Sequence, residues 1–163
     1  MINSISLIGM AGAGKSSVGK ELSKMLGFTF IDSDDLIEAK YGKNLQEILD
    51  NEGYIQLRKI ENLIIKDIHF DKTILSTGGS AVYSNEAMAH IQKNSNVIFL
   101  DVPFNQILER VPSFLERGFA KAPSQSIEDA FTERQKLYQT YSHYRVSNAK
   151  DLDSCITKII ELF

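Results

Sequence analysis

A single cysteine, Cys155, stands among 163 residues, so neither an intrachain disulfide nor a cysteine-based zinc cluster can form. Positive charge is not in excess. Lysine and arginine number 18 against 21 aspartates and glutamates, and a net charge of −3 excludes a nucleic-acid binder that works through a broad basic surface. No apolar run approaches the roughly 20 residues that a membrane-spanning helix needs. The first residues read as a strand that enters a glycine-rich loop by position 9, so no signal peptide is expected. Internal repeats, low-complexity tracts and linkers are also missing. These absences predict a monomer in a reducing cytoplasm, with a small molecule rather than a membrane or nucleic acid as its partner.

A hydrophobic fraction of 43% and a charged fraction of 24% are those of a globular chain, and 163 residues suit one domain spanning 1–163. Strand-like and helix-like segments alternate, which predicts an α/β fold with helices flanking a parallel sheet. Strands are expected at Ser4–Ile8, Phe28–Ile31, Thr73–Ser76, Asn96–Leu100 and Tyr144–Val146. Helices are expected after the first loop, with an apolar stripe of Val18, Leu22, Met25 and Leu26, and then at about Ser33–Tyr41, Leu45–Asn51, Tyr54–Ile68, Glu86–Gln92, Phe104–Arg110, Ile127–Tyr141 and Leu152–Leu162. Periodicity fades between Val111 and Ser126, where Pro112, Gly118 and Pro123 interrupt the pattern. A loop this long inside a compact domain reads as a functional flap, here a mobile lid over about 112–125.

Four constellations carry chemistry. Gly9-Met10-Ala11-Gly12-Ala13-Gly14-Lys15-Ser16 fits G-x-x-x-x-G-K-[ST], between a strand and a helix as the pattern requires. Such a loop turns backbone N–H groups toward phosphates, adds a lysine cation for the β- and γ-phosphates and offers a hydroxyl to Mg²⁺. Asp32 and Asp34 follow the second strand and either point toward that crevice or belong to a cluster of helix N-capping residues, for which Ser33, Asp34 and Asp35 are suited. Arg58 and Glu61 are three apart on a helix whose core face is Leu57, Ile60, Ile64 and Ile68. They form either an exposed ion pair or a guanidinium fork held by Glu61 and aimed at a substrate carboxylate or phosphate. Gly78-Gly79 ends the third strand, either as an ordinary turn or as a point of close backbone approach to a ligand. A guanine-binding N-K-x-D is not present: Asn148-Ala149-Lys150-Asp151 has its lysine in the wrong place.

In their order and spacing these motifs, with Glu133-Arg134-Gln135-Lys136-Leu137-Tyr138 after the flap, resemble the shikimate kinases over nearly the whole chain. The resemblance implies a P-loop NTPase fold with a five-stranded parallel sheet, ATP and Mg²⁺ as cofactors, and transfer of the γ-phosphoryl group to a hydroxyl of a small carboxylated ring, shikimate to shikimate 3-phosphate, in aromatic amino-acid biosynthesis. It assigns Gly12, Ala13, Gly14, Lys15, Ser16 and Ser17 to the ATP phosphates, Ser16 and Asp32 to the metal, and Arg110 to the adenine side. Asp34 would grip substrate hydroxyls and serve as base. Arg58 and Arg134 would anchor the carboxylate, Gly79 would offer its N–H, and Arg117 would close over the transferring phosphate. Two departures concern the acceptor. Ser80 stands where most members have a third glycine, and Gly118-Phe119 where they have proline and leucine. An alignment placing Ala122-Pro123 at the lid position would remove Arg117 from the site. The departures leave room for an enzyme acting on gluconate or homoserine. A nucleoside monophosphate kinase fits less well, and a nucleotide-binding regulator without turnover is the alternative from another class. His69, His90 and His143 and Tyr138, Tyr141 and Tyr144 are read as structural, while Asp101, at the end of an apolar strand, resembles the acid that often assists Mg²⁺ in phosphate-loop proteins or else caps the turn before Pro103.

Overall fold

The structure is a computed structural model that describes residues 3–163. Strands β1 (Ser4–Ile8), β2 (Thr29–Asp32), β3 (Thr73–Ser76), β4 (Asn96–Asp101) and β5 (Tyr144–Ser147) form one sheet in the order β2-β3-β1-β4-β5, with every neighbouring pair parallel. Parallel strands need crossovers, and the helices supply them: α1 (Lys15–Leu26), α2 (Ser33–Tyr41), α3 (Leu45–Lys66), α4 (Asn85–Asn94), α5 (Phe104–Arg110), α6 (Ile127–Tyr141) and α7 (Leu152–Ile160). With both faces of the sheet covered, β1 is buried at all five positions and β4 at its four central ones. The polar side chains among them are paired. Ser4 Oγ accepts from the Thr73 N–H at 3.0 Å, and Ser6 Oγ shares a proton with Ser95 Oγ at 2.7 Å.

Boundaries differ from the sequence pattern in instructive places. The two helices expected on either side of Gly53 are found as the two arms of α3, separated by a kink where Gly53 adopts φ 82° and ψ 166°, a non-helical conformation that favours glycine. The expected apolar stripe of α1 is carried by Val18 and Leu22 with a partly buried Leu26, while Met25 in the last turn is 56% exposed. Asp101 does not face the phosphate loop. It binds Arg145 at 2.6 Å and accepts from Gln135, a role within the β4–β5 edge. His90 bonds the Ile68 carbonyl and His143 accepts from the Val97 N–H, so both serve the backbone.

The segment from Val111 to Ser126 is seated rather than free of contacts. A short 3-10 turn at Phe114–Glu116 precedes Gly118, whose φ of 65° and close approach to Leu45 suit only glycine. The Gly118 N–H donates to Gln46 Oε1 at 2.8 Å, and Phe114 meets Phe119 edge to face at 5.2 Å. Ala120 is buried in a small apolar cluster with Ile37, Ile48, Leu57, Ile60 and Ile64, which ties the segment to α2 and α3. No helix among the described residues is long and apolar enough to cross a membrane.

Candidate active site

The carboxyl ends of β1, β2 and β3 open into one cleft of about 900 Å³, where an open α/β sheet binds ligands. At one end lies the loop between β1 and α1. Gly12 and Gly14 take φ of 83° and 90°, and no side chain caps the first turn of α1, so its N–H groups remain for an anion. The loop is braced from behind. Asn148 Nδ2 donates to the Ala13 carbonyl at 2.8 Å, and Arg110 spans the Gly12 and Asn148 carbonyls at 3.3 and 2.8 Å. Lys15 Nζ donates to the carbonyls of Gly9 and Met10 at 2.8 and 2.9 Å. Burial lowers its pKa to about 8, against the raising influence of Asp34 and Asp32.

Asp32 resolves the choice left open by spacing by doing both things. Its Oδ1 accepts from the Asp34 N–H at 3.0 Å and caps α2, while Oδ2 accepts from Ser16 Oγ at 2.6 Å inside the cleft. Asp34 then points inward. Burial, and after it the charges of Glu61 and Asp32, push its pKa up to about 7. Gly78 lies against Asp34 Oδ1 and Glu61 Oε1, and a side chain there would collide with both carboxylates.

Glu61 and Arg58 form neither of the arrangements expected from helical spacing. Glu61 is 3% exposed, and its Oε2 accepts from Ser80 Oγ at 2.5 Å. Burial raises its pKa, with the Ser80 hydrogen bond acting in the opposite sense. Arg58 donates instead through Nη2 to the Ala120 carbonyl at 2.9 Å. Arg134, 1% exposed, donates to that same oxygen at 2.7 Å. Two guanidinium groups from different helices thus converge on one point. Among the described residues, the buried side-chain polar atoms without a partner are Arg58 Nε, Arg134 Nε and Glu61 Oε1, all at this end of the site. Folded proteins leave few such atoms orphaned, and a cluster of them marks a place for a ligand.

Of the residues singled out in the sequence, Gly12, Gly14, Lys15, Ser16, Ser17, Asp32, Asp34, Gly79, Arg110, Arg117 and Arg134 line the cleft. Ala13 and Arg58 do not. Ala13 is fully buried beneath the loop, and Arg58 sits behind Ala120. Arg117 lines the cleft and its charge reaches Lys15, whereas Ala122 and Pro123 lie outside it, so the geometry favours the alignment that keeps Arg117. Asn148, Lys150 and Tyr138 were missed. Asn148 and Lys150 line the loop's end of the cleft, and the buried Tyr138 hydroxyl donates to the Gly79 carbonyl at 2.6 Å, turning that glycine's peptide.

The sequence profile of the shikimate kinases matches residues 11–163. The chain belongs to the shikimate kinase family. A shikimate kinase of Francisella tularensis subsp. holarctica is 35% identical over 160 residues, covering 95% of this chain and 91% of that protein. The crystal structure of shikimate kinase from Aquifex aeolicus is 31% identical and superposes with a TM-score of 0.85 over 97% of this chain and 94% of its own. The shikimate kinase from Acinetobacter baumannii in complex with shikimate is 27% identical, with a TM-score of 0.88 over 99% and 93% of the two chains. As a member of the shikimate kinase family the protein is a phosphotransferase with ATP as donor and a hydroxyl as acceptor. The expected P-loop fold with five parallel strands is the one found.

Proposed function

We propose that the protein transfers the γ-phosphoryl group of ATP to the 3-hydroxyl of shikimate. The observation that carries this reading is the orphaned pair of buried donors, Arg58 Nε and Arg134 Nε, beside a cleft whose other end is a phosphate loop. Paired guanidiniums suit a carboxylate, and the orphaned Glu61 oxygen suits a ring hydroxyl. Gluconate and homoserine share some of these groups, but the family membership favours the rigid ring.

The residues divide the work. Loop N–H groups from Gly12 to Ser17 and the Lys15 ammonium hold the phosphates, with Lys15 exchanging the Gly9 and Met10 carbonyls for phosphate oxygens. Arg110 stands on the adenine side. Ser16 and Asp32 offer the oxygen donors that Mg²⁺ prefers and would hold the ion, which would supply charge neutralisation for the transferring phosphoryl group. Arg134 in the cleft wall and Arg58 behind Ala120 fix the carboxylate by exchanging the Ala120 carbonyl for it, and the Gly79 N–H holds the acceptor. Asp34 accepts the hydroxyl proton as that oxygen bonds to the γ-phosphorus and the bond to the β–γ bridging oxygen breaks, releasing ADP. Raised to about 7, Asp34 sits where a base is matched to neutral solution.

Coupled ADP release with Mg-ATP and a panel of shikimate, gluconate, homoserine and nucleoside monophosphates tests the reading. Rapid turnover with shikimate alone is the expected result. Preference for another acceptor overturns the substrate, and no turnover with any of them brings forward a nucleotide-binding regulator.

Arg117 is exposed on the lid, and its contact forms as the segment closes over the transferring phosphate. Arg117→Ala is expected to lower kcat about 30- to 300-fold while both KM values stay within about threefold, because an interaction made only in the transition state is lost. An unchanged kcat removes Arg117 from the chemistry.

A further inference from the structure

Arg58 turns away from the acidic partner that its position on α3 suggests: its Nη2 donates to the Ala120 carbonyl, while Glu61 Oε2 takes the Ser80 hydroxyl and Oε1 has no partner. Yet a guanidinium must be held in one orientation to recognise a carboxylate by a planar fork. Aromatic faces do this here. The Tyr83 ring lies 3.7 Å from Arg58 Cζ, with Tyr54 on the same group at 5.0 Å. Tyr83 also reaches Arg134, at 5.4 Å, whose guanidinium rests on Phe119 at 4.0 Å.

Tyr83 is itself fixed at both ends. Its backbone closes the short 3-10 turn Ala81–Tyr83 directly after Gly78-Gly79-Ser80, with its N–H on the Ser80 carbonyl at 3.1 Å. Its hydroxyl donates to Glu133 Oε1 at 2.5 Å, on the residue preceding Arg134 in α6. Burial first, and the Glu133 bond after it, push the phenol's pKa up, so the hydroxyl stays protonated and the tether persists across neutral pH. One rigid ring therefore spans the strand end that presents Gly79, the helix that carries Arg58 and the helix that carries Arg134.

We propose that Tyr83 is a positioning residue for acceptor recognition: its ring face, tethered through Glu133, sets the orientation in which Arg58 and Arg134 meet the acceptor's carboxylate. The proposal rests on the reading that these two arginines bind that carboxylate. A cation held against a ring in a desolvated site gains more than one exposed to water, so loss of the face should register in binding of the acid and not in handling of ATP.

The experiment compares wild type, Tyr83→Phe and Tyr83→Leu with shikimate and with its methyl ester, measuring KM for each acceptor, KM for ATP and kcat. In wild type the ester's KM is expected to exceed that of the acid by about a hundredfold. Equal values for ester and acid overturn the carboxylate reading itself, before any variant is considered. With that preference in place, Tyr83→Leu is expected to raise the shikimate KM about tenfold, to leave the ester and ATP KM values within about twofold, and to keep kcat within about threefold. Tyr83→Phe, which keeps the face and loses only the tether, is expected to stay within about threefold of wild type for shikimate. A shikimate KM unchanged in Tyr83→Leu overturns the proposal and leaves the carboxylate reading standing. So does an equal rise for acid, ester and ATP, which would mark a general loosening of the fold. Equal rises in the two variants for the acid overturn the ring-face account.

Discussion

Asp34→Asn should leave ATP binding intact and lower transfer to shikimate by at least about a thousandfold, because the amide cannot take the acceptor's proton and no second carboxylate stands ready to do so. Glu61 is the nearest alternative, but Ser80 occupies one of its oxygens and the other faces Gly78. The same substitution should stabilise the ligand-free protein. The pKa of Asp34 rises from an ordinary 3.8 in the unfolded chain to about 7 in the fold. Between those values the folded state binds the proton more tightly, so stability falls as pH climbs from about 4 to 7 and stays lowered above that. Asparagine has no such titration. The Tm of Asp34→Asn should exceed that of wild type by about 2–6 °C at pH 8, with the gap closing toward pH 4. Nucleotide titration, steady-state kinetics and thermal melts at several pH values check the three parts. Near-normal turnover removes Asp34 from the role of base, and a gap that widens on acidification shows that its carboxyl is not held neutral by the fold.

Arg134→Ala is the second large effect. This guanidinium is buried against Phe119, donates to the Ala120 carbonyl and lies beside Gly79, so its removal strikes the carboxylate contact and the seat of the lid together. Truncating one partner of a buried charge pair costs about 2–5 kcal/mol, which corresponds to roughly 30- to several-thousandfold in kcat/KM for shikimate. Arg134→Lys should recover little of it, because an ammonium restores charge and not the planar fork. ATP affinity, set at the far end of the cleft, should change by less than about threefold in either variant, as nucleotide titration would show. Retention of shikimate kcat/KM within tenfold by Arg134→Ala would mean that the acid is held elsewhere.

The legible parts of this protein were those whose information is local. Glycine and lysine at fixed offsets define the phosphate loop and permit its left-handed turns at Gly12 and Gly14. β-branched runs mark the strands to within a residue or so, and Gly53 announces the non-helical kink that divides α3 into two arms. What escaped depends on residues distant in the chain. Spacing pairs Arg58 with Glu61, but Ser80 arrives from the end of β3 to take one oxygen of that carboxylate and the Ala120 carbonyl takes the guanidinium, both from outside the helix. Tyr83 shows no periodic signal, because its importance lies in a ring face turned toward α3 and α6. Asn148 sits in a string that matches a guanine motif badly and was set aside on that ground, although its side chain holds the phosphate loop. Asp32 was undecidable from spacing because capping and facing the cleft use different oxygens of one carboxylate.

The bracing of the phosphate loop by Asn148 also bears on the order in which the protein matures on the ribosome. The loop leaves the ribosome well before the amide that holds its Ala13 carbonyl, which comes 135 residues later. Its parent strand β1 must wait as well, pairing at Ser4 with Thr73 and at Ile5 with Asn96. Contacts at such separation form late, because the loops they close must be ordered first. A nascent chain that already carries the whole glycine-lysine motif therefore still lacks the amide that braces it, which arrives only after β5 at the far edge of the sheet.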